Sequence, residues 1–218
     1  MPVEQAIFTS LARDGRAGYH LVARSRGLDD ADAQALTSWC PSHGALLVNP
    51  ANLCSLNFHP MPRGRFAISR TREGPPEYSG RGGRQVYTHI LVVTRDDLRL
   101  ADWQPFSLYR DALARGILRV RLGPPAELPH VELGRSYPAR GVRDPEALTQ
   151  SVSIDQLAAW CDDLVNGRSV TVNYEGDRLR LFEDLVNLLP VEAVAAVSFT
   201  TSLRSSVVRP FRLGPAGA

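Results

Sequence analysis

Lysine is absent: all 25 of the Lys and Arg positions in the 218-residue chain are arginine. Without an ammonium group there is no Walker A lysine, no Schiff-base or PLP lysine and no kinase strand lysine, so the chain is not itself a P-loop nucleotidase of the usual kind. Cysteine is scarce. Cys40, Cys54 and Cys161 stand far apart with no CxxC pair, which gives neither a structural zinc site nor a disulfide framework and leaves reduced thiols as the expectation. No run of apolar residues approaches the ~18 needed to span a membrane, and Met1 to Gln5 is followed by no basic and apolar leader pattern. A cytoplasmic protein without a membrane partner is expected. A formal net charge of +2 is too small for binding carried mainly by nucleic acid or anionic lipid, so no nucleic-acid partner is expected. Internal repeats, heptads and low-complexity tracts are also missing.

What is present reads as an ordinary globular chain, long enough to bury a full core. Gln5 to Leu11 and Gly18 to Ser25 are strand-like around a polar turn at Asp14-Gly15, so a hairpin opens the fold. Asp29, Asp30 and Asp32 suit a helix N-terminus, Leu36, Trp39 and Cys40 share a helical face, and Pro41 ends it. Cys54 to His59 alternates apolar and polar residues, and Phe66 to Arg70 is its expected partner strand. Glu73 to Gly83 is rich in Gly and Pro and is expected to be a loop. Val86 to Thr94, β-branched and apolar at nearly every position, is expected in the sheet interior. Pro105 at a helix N1 position, with Phe106, Tyr109, Leu113 and Ile117 on one face, predicts a second amphipathic helix.

From Gly123 to Pro145 prolines and glycines interrupt any period, which marks a crossover or linker. Beyond it Ser153 and Gln156 read as a capping box ahead of Leu157, Trp160, Cys161 and Leu164, stopped by Gly167. Ser169 to Tyr174 is a short strand, Asp177 caps a helix that Pro190 stops, and Ala195 to Ser202 is strand-like. The expected architecture is α+β: an N-terminal mixed or antiparallel sheet of about five strands with covering helices, followed by a smaller helix-strand unit. The expected division is 1–135 for the first domain, 136–150 for the linker, 151–213 for the smaller unit and 214–218 for a tail.

Two constellations could carry chemistry. His43, His59 and His89, spread over three elements, could supply a general base or a metal site if they converge. None forms an HxH, HxxxH or HExxH pattern, so satisfied structural histidines compete with that reading. His89 sits in the most apolar strand and must find a partner there. The stretch Tyr78-Ser79-Gly80-Arg81-Gly82-Gly83-Arg84 could form a backbone nest for a phosphate or carboxylate, with Arg70 and Arg72 alongside. It opens no helix, so it is not the dinucleotide fingerprint. Candidate ligand- or partner-binding residues are therefore Arg70, Arg72, Tyr78, Ser79, Arg81 and Arg84. Ser198 to Ser202 offers hydroxyls without an adjacent base and reads as a half-exposed sheet face. No cofactor or metal is indicated.

The same residues form a recognisable series: Glu4 to Ser10; Gly18 to Ser25; Trp39 with Pro41-Ser42-His43; Ser55-Leu56-Asn57-Phe58-His59-Pro60; Ser69-Arg70-Thr71; Glu77 to Gly83; and Tyr87-Thr88-His89. Over roughly residues 2 to 135 this series resembles the N-terminal domain, type two, of the bacterial GTPase-associated protein one family. Ser153 to Arg209, with Leu188-Leu189-Pro190 and Ser198-Phe199-Thr200-Thr201, is similar to the start of that family's middle domain. The family is commonly longer, so the resemblance implies a truncated or minimal member. It further implies a non-enzymatic recognition or adaptor component of a GTPase-centred bacterial conflict or immunity system, with a separately encoded GTPase as partner. The alternative is a small hydrolase or nucleotide-handling enzyme built on the clustered His and Arg residues.

Overall fold

The computed structural model describes residues 1–12, 15, 17–47, 49–77, 84–204 and 206–217. One mixed sheet runs through them. In chain order its first five strands are β1 (Pro2–Ser10), β2 (Tyr19–Ser25), β3 (Cys54–Met61), β4 (Arg65–Pro76) and β5 (Arg84–Val93). They pair antiparallel in the spatial order β2-β1-β5-β4-β3. The apolar β5 is therefore interior, as its composition required. Short strands extend both sides. β6 (Glu127–Leu128) lies parallel on β2 and β7 (Val131–Glu132) pairs with the start of β1, while β8 (Val170–Val172), β9 (Phe199–Thr200) and β10 (Leu213–Pro215) continue the sheet from β3 in the order β9-β10-β8.

Side chains alternate between the two faces of a strand, and both faces are covered. The helices involved are α1 (Asp30–Trp39), α2 (Arg95–Leu100) and α3 (Pro105–Ala114). On the first face, Phe58, Phe66, Ile68, Leu91 and Val93 pack with Leu98 of α2 and with Phe106 and Tyr109 of α3. On the second, Ala6, Phe8, Ala67, Ile90 and Val92 pack with Leu36 of α1. The two helices expected as a cover thus sit on opposite faces. Asp29 and Asp32 close a reciprocal cap on α1, and buried Asp32 is held by Arg63 of the β3–β4 turn and Arg65 at the start of β4. That pairing fixes α1 against the sheet.

Helices α4 (Pro145–Ser151), α5 (Ile154–Val165), α6 (Arg178–Leu188) and α7 (Val191–Ala196) complete the chain. Residues on the two sides of 136–150 share both sheet and core. Leu157, Leu164, Leu181, Phe182, Leu185 and Phe199 belong to the same buried cluster as Phe58 and Leu91, and β9 pairs with β3. Rings stack from Phe66 to Phe58 (5.5 Å), Phe58 to Phe199 (5.5 Å) and Phe199 to Phe106 (5.0 Å).

Three local expectations need correction. β4 continues through Glu73 to Pro76, because its partner β5 supplies a ladder with an irregularity there rather than a free loop. Ala195 to Ser202 is not one strand, since Pro190 sits as the N-cap of α7 and only Phe199–Thr200 remains extended in the sheet. Thr94 is not the end of β5 but the N-cap of α2, its hydroxyl accepting from the Asp97 N–H.

Candidate functional site

Arg70 and Arg72 alternate with Ile68 on the first face of β4, so they project on the side that carries α3. Arg70 lies directly across from His89, and Arg72 across from Tyr87. The chain leaving α3 crosses over this end of the face. Arg70 Nη1 donates to the Leu118 carbonyl at 3.0 Å, and the Arg121 N–H donates to the Tyr87 hydroxyl at 3.1 Å. The crossing carries the backbone of residues 118 to 121 past Arg70, His89 and Tyr87, so Arg119 and Arg121 join Arg70 and Arg72 at this end of the sheet. Among the described residues none of the four has a carboxylate partner, whereas Arg63, Arg65, Arg110 and Arg168 elsewhere are all tied to acids. Arg119 is exposed and the other three are half-buried. A carboxylate-free cluster of guanidiniums is suited to phosphate or carboxylate recognition, because each planar fork binds an oxyanion in bidentate fashion.

Arg84 begins β5, is exposed, and stands 3.6 Å from Glu73. Pro76 and Arg84 are register partners, so these two residues are cross-strand neighbours at this same end of the sheet. Tyr78, Ser79 and Arg81 lie outside the described residues. Arg119 and Arg121 are the members of the cluster that sequence reasoning misses, although Leu118-Arg119-Val120-Arg121 alternates apolar and basic residues.

The three histidines do not converge. His59 and His89 fall on opposite faces of the sheet by strand alternation, and His43 is exposed in the turn after α1. His59 stacks on Trp39 (4.4 Å, 9°), with Nδ1 at 3.2 Å from the Pro60 carbonyl. Burial holds its pKa down at about 4. His89 places Nε2 at 2.8 Å from Gln5 Oε1. Burial, and then the Arg121 charge, hold it down at about 4 as well, against the Arg119 carbonyl beside the ring. Both are neutral imidazoles of the interior, and one reacting group cannot be reached from both. Among the described residues no cluster of three or more His, Cys, Asp or Glu is placed to hold a metal.

On the second face, beneath the same end of the sheet, a buried polar network replaces an apolar core. Asn57 Nδ2 donates to Ser69 Oγ and Thr71 Oγ1, both at 3.1 Å, while its Oδ1 accepts from Ser55 Oγ (2.7 Å) and Thr200 Oγ1 (2.6 Å). Thr71 Oγ1 lies 3.0 Å from Thr88 Oγ1. All six side chains are almost fully enclosed. The Ser198 to Ser202 stretch is accordingly buried, not half-exposed: the hydroxyls of Thr200 and Thr201 satisfy groups of β3, with Thr201 Oγ1 accepting from the Leu56 N–H at 3.0 Å. A satisfied network of this kind rigidifies the strands that carry Arg70 and Arg72.

Among the described residues no helix is long and apolar enough to cross a membrane. No match to the chain is found among curated proteins or among solved structures. Residues 2–134 match the family model described as GTPase-associated protein 1, N-terminal domain type 2, a span that holds β1 to β7, the arginine cluster and all of the Asn57 network except Thr200, and the chain therefore belongs to that family.

Proposed function

We propose that the chain is a non-enzymatic recognition or adaptor component of a GTPase-centred bacterial conflict or immunity system, and that it binds a separately encoded GTPase through the arginine surface at the β4–β5 end of the sheet. The observation that carries this reading is the gathering of Arg70, Arg72, Arg119 and Arg121 without a carboxylate partner among the described residues, in a family named for its association with a GTPase. Tyr78, Ser79, Arg81 and Arg84 are assigned to the same contact surface. Uncompensated guanidiniums repel one another and favour an acidic or phosphorylated partner surface that neutralises them. The rigid sheet beneath keeps them in place, which lowers the ordering cost of binding.

The test is co-purification with the GTPase encoded beside the chain, followed by size exclusion with and without GTP. A complex is expected, weakened about tenfold or more in Arg72→Ala/Arg119→Ala and increasingly so as salt is raised. Arg119→Ala alone should change the melting temperature little, because exposed substitutions generally cost within about 0.5 kcal/mol. No complex in any nucleotide state, or a complex indifferent to both substitutions, would overturn the reading.

A further inference from the structure

We infer that the arginine cluster is an oligophosphate site: Arg70 and Arg121, flanking His89, with Arg72 and Arg119 at the rim, bind two or more linked phosphates by their oxygens alone. This rests on the reading of the surface as the recognition surface and names the chemistry that it takes.

Charge is the first reason. Arg70, Arg72, Arg119 and Arg121 stand at one end of the sheet with no carboxylate partner among the described residues, so a single carboxylate leaves most of that charge uncompensated. Linked phosphates, with about three or more negative charges near neutral pH, match it far better. Anchoring is the second. The Leu118 carbonyl takes Nη1 of Arg70, and the Nε atoms of Arg70 and Arg121 are enclosed without an acceptor among the described residues. Enclosed donors without acceptors are costly, and an oxyanion bound at the outer Nη groups of the same guanidiniums offsets part of that cost. Spacing is the third. Arg70 and Arg72 are two residues apart on one strand, about 7 Å along it, and the segment that carries Arg119 and Arg121 crosses beside them. Forks at such an interval suit neighbouring phosphates rather than one isolated oxyanion. Tyr87, the aromatic residue across from Arg72, is buried and offers a base no open face; recognition ends at the phosphates.

The experiment titrates the chain alone with inorganic pyrophosphate, GTP and citrate by calorimetry, and follows the His89 ring by NMR. Pyrophosphate and GTP are expected to bind within about threefold of each other, and citrate at least tenfold more weakly. Arg70→Gln and Arg121→Gln should each lose tenfold or more. Arg119→Ala, at an exposed position that leaves the fold intact, should lose several-fold, so the idea stays testable even if an Arg70 variant does not fold. Because the Arg121 charge helps to depress His89, bound pyrophosphate should move the His89 titration upward from about 4. Equal affinity for citrate, affinity indifferent to these substitutions, or no binding of pyrophosphate at millimolar concentration overturns the inference. A GTPase complex formed by a chain that binds no pyrophosphate would overturn it and leave the partner reading standing. Pyrophosphate binding without any GTPase complex would do the reverse.

Discussion

Replacing Phe199 by alanine tests whether the chain is one cooperative unit. Phe199 is 1% exposed and sits between Phe58 of β3 and Phe106 of α3, at 5.5 and 5.0 Å between ring centroids. Truncating a buried phenylalanine to alanine, where the surroundings cannot collapse into the space, costs about 3–5 kcal/mol. Stacking on two rings places this site in the upper half of that range, since each such pair adds about 0.5–1.5 kcal/mol beyond burial. A loss of about 4–5 kcal/mol is then about a quarter or more of the roughly 5–15 kcal/mol that holds a typical domain together. For a chain of this length 1 kcal/mol moves the melting temperature by about 2–4 °C, so a fall of about 8–20 °C is expected. Differential scanning calorimetry together with urea unfolding measures it. The Val208→Ala control, at a position 65% exposed, should stay within about 0.5 kcal/mol. A single transition should move as a whole. A second transition that alone shifts, with the N-terminal strands melting at an unchanged temperature, would refute this, as would a loss below about 2 kcal/mol.

Asn57→Leu should cost about 2–4 kcal/mol, because Ser69, Thr71 and Thr200 each lose a bond in an enclosed site and an unmet buried polar group costs about 1–3 kcal/mol; chemical denaturation that finds the variant neutral would mean water replaces the amide. Stability should also fall with acid. His59 and His89 have folded pKa values of about 4 against 6.5 when unfolded, so the stability they confer is fully present above pH 6.5 and lost as pH falls towards 4. The limit is about 3 kcal/mol each, because every tenfold difference in proton affinity between the two states is worth about 1.4 kcal/mol. His89→Gln should remove about one proton from the pH slope of unfolding over that window, and a slope unchanged in the variant would contradict the assignment.

Much of this fold is legible where a local rule coincides with the tertiary outcome. Asp29 and Asp32 announce the start of α1, Ser153 and Asp177 cap α5 and α6, and the nearly continuous apolar run from Val86 to Val93 puts β5 in the interior. Sequence reasoning fails where a partner strand overrides local chemistry. Gly74-Pro75-Pro76 reads as a loop because proline removes a ladder donor, yet β5 supplies enough pairing to keep β4 extended. Thr94 and Asp97 form a reciprocal cap visible in the sequence, but the β-branched threonine also prolongs an apolar run and so passes for its last strand residue. Of the candidate site, Arg70, Arg72 and Arg84 can be named from their nearness to a Gly-rich stretch. Arg119 and Arg121 cannot, because only the crossing of the chain after α3 brings them to β4. The histidines mislead for the opposite reason: strands of one sheet can present their side chains to opposite sides of it.

The Thr200 hydroxyl reaches Asn57 across 143 residues of chain, and this sets an order of events during synthesis. When residue 134 leaves the ribosome, every strand of the matched region has been made, but β3 still has an open edge and Asn57 Oδ1 still lacks one of its donors. At about 5–20 residues per second, roughly 3–13 s pass before residue 200 follows. Through that interval the nascent protein displays an unpaired strand whose inner face is half polar, a state that neighbouring chains could pair with at the same edge. β9, two residues long, is thus the piece that ends the exposure, and its late arrival makes the stretch that follows α7 a brake on self-association of everything made before it.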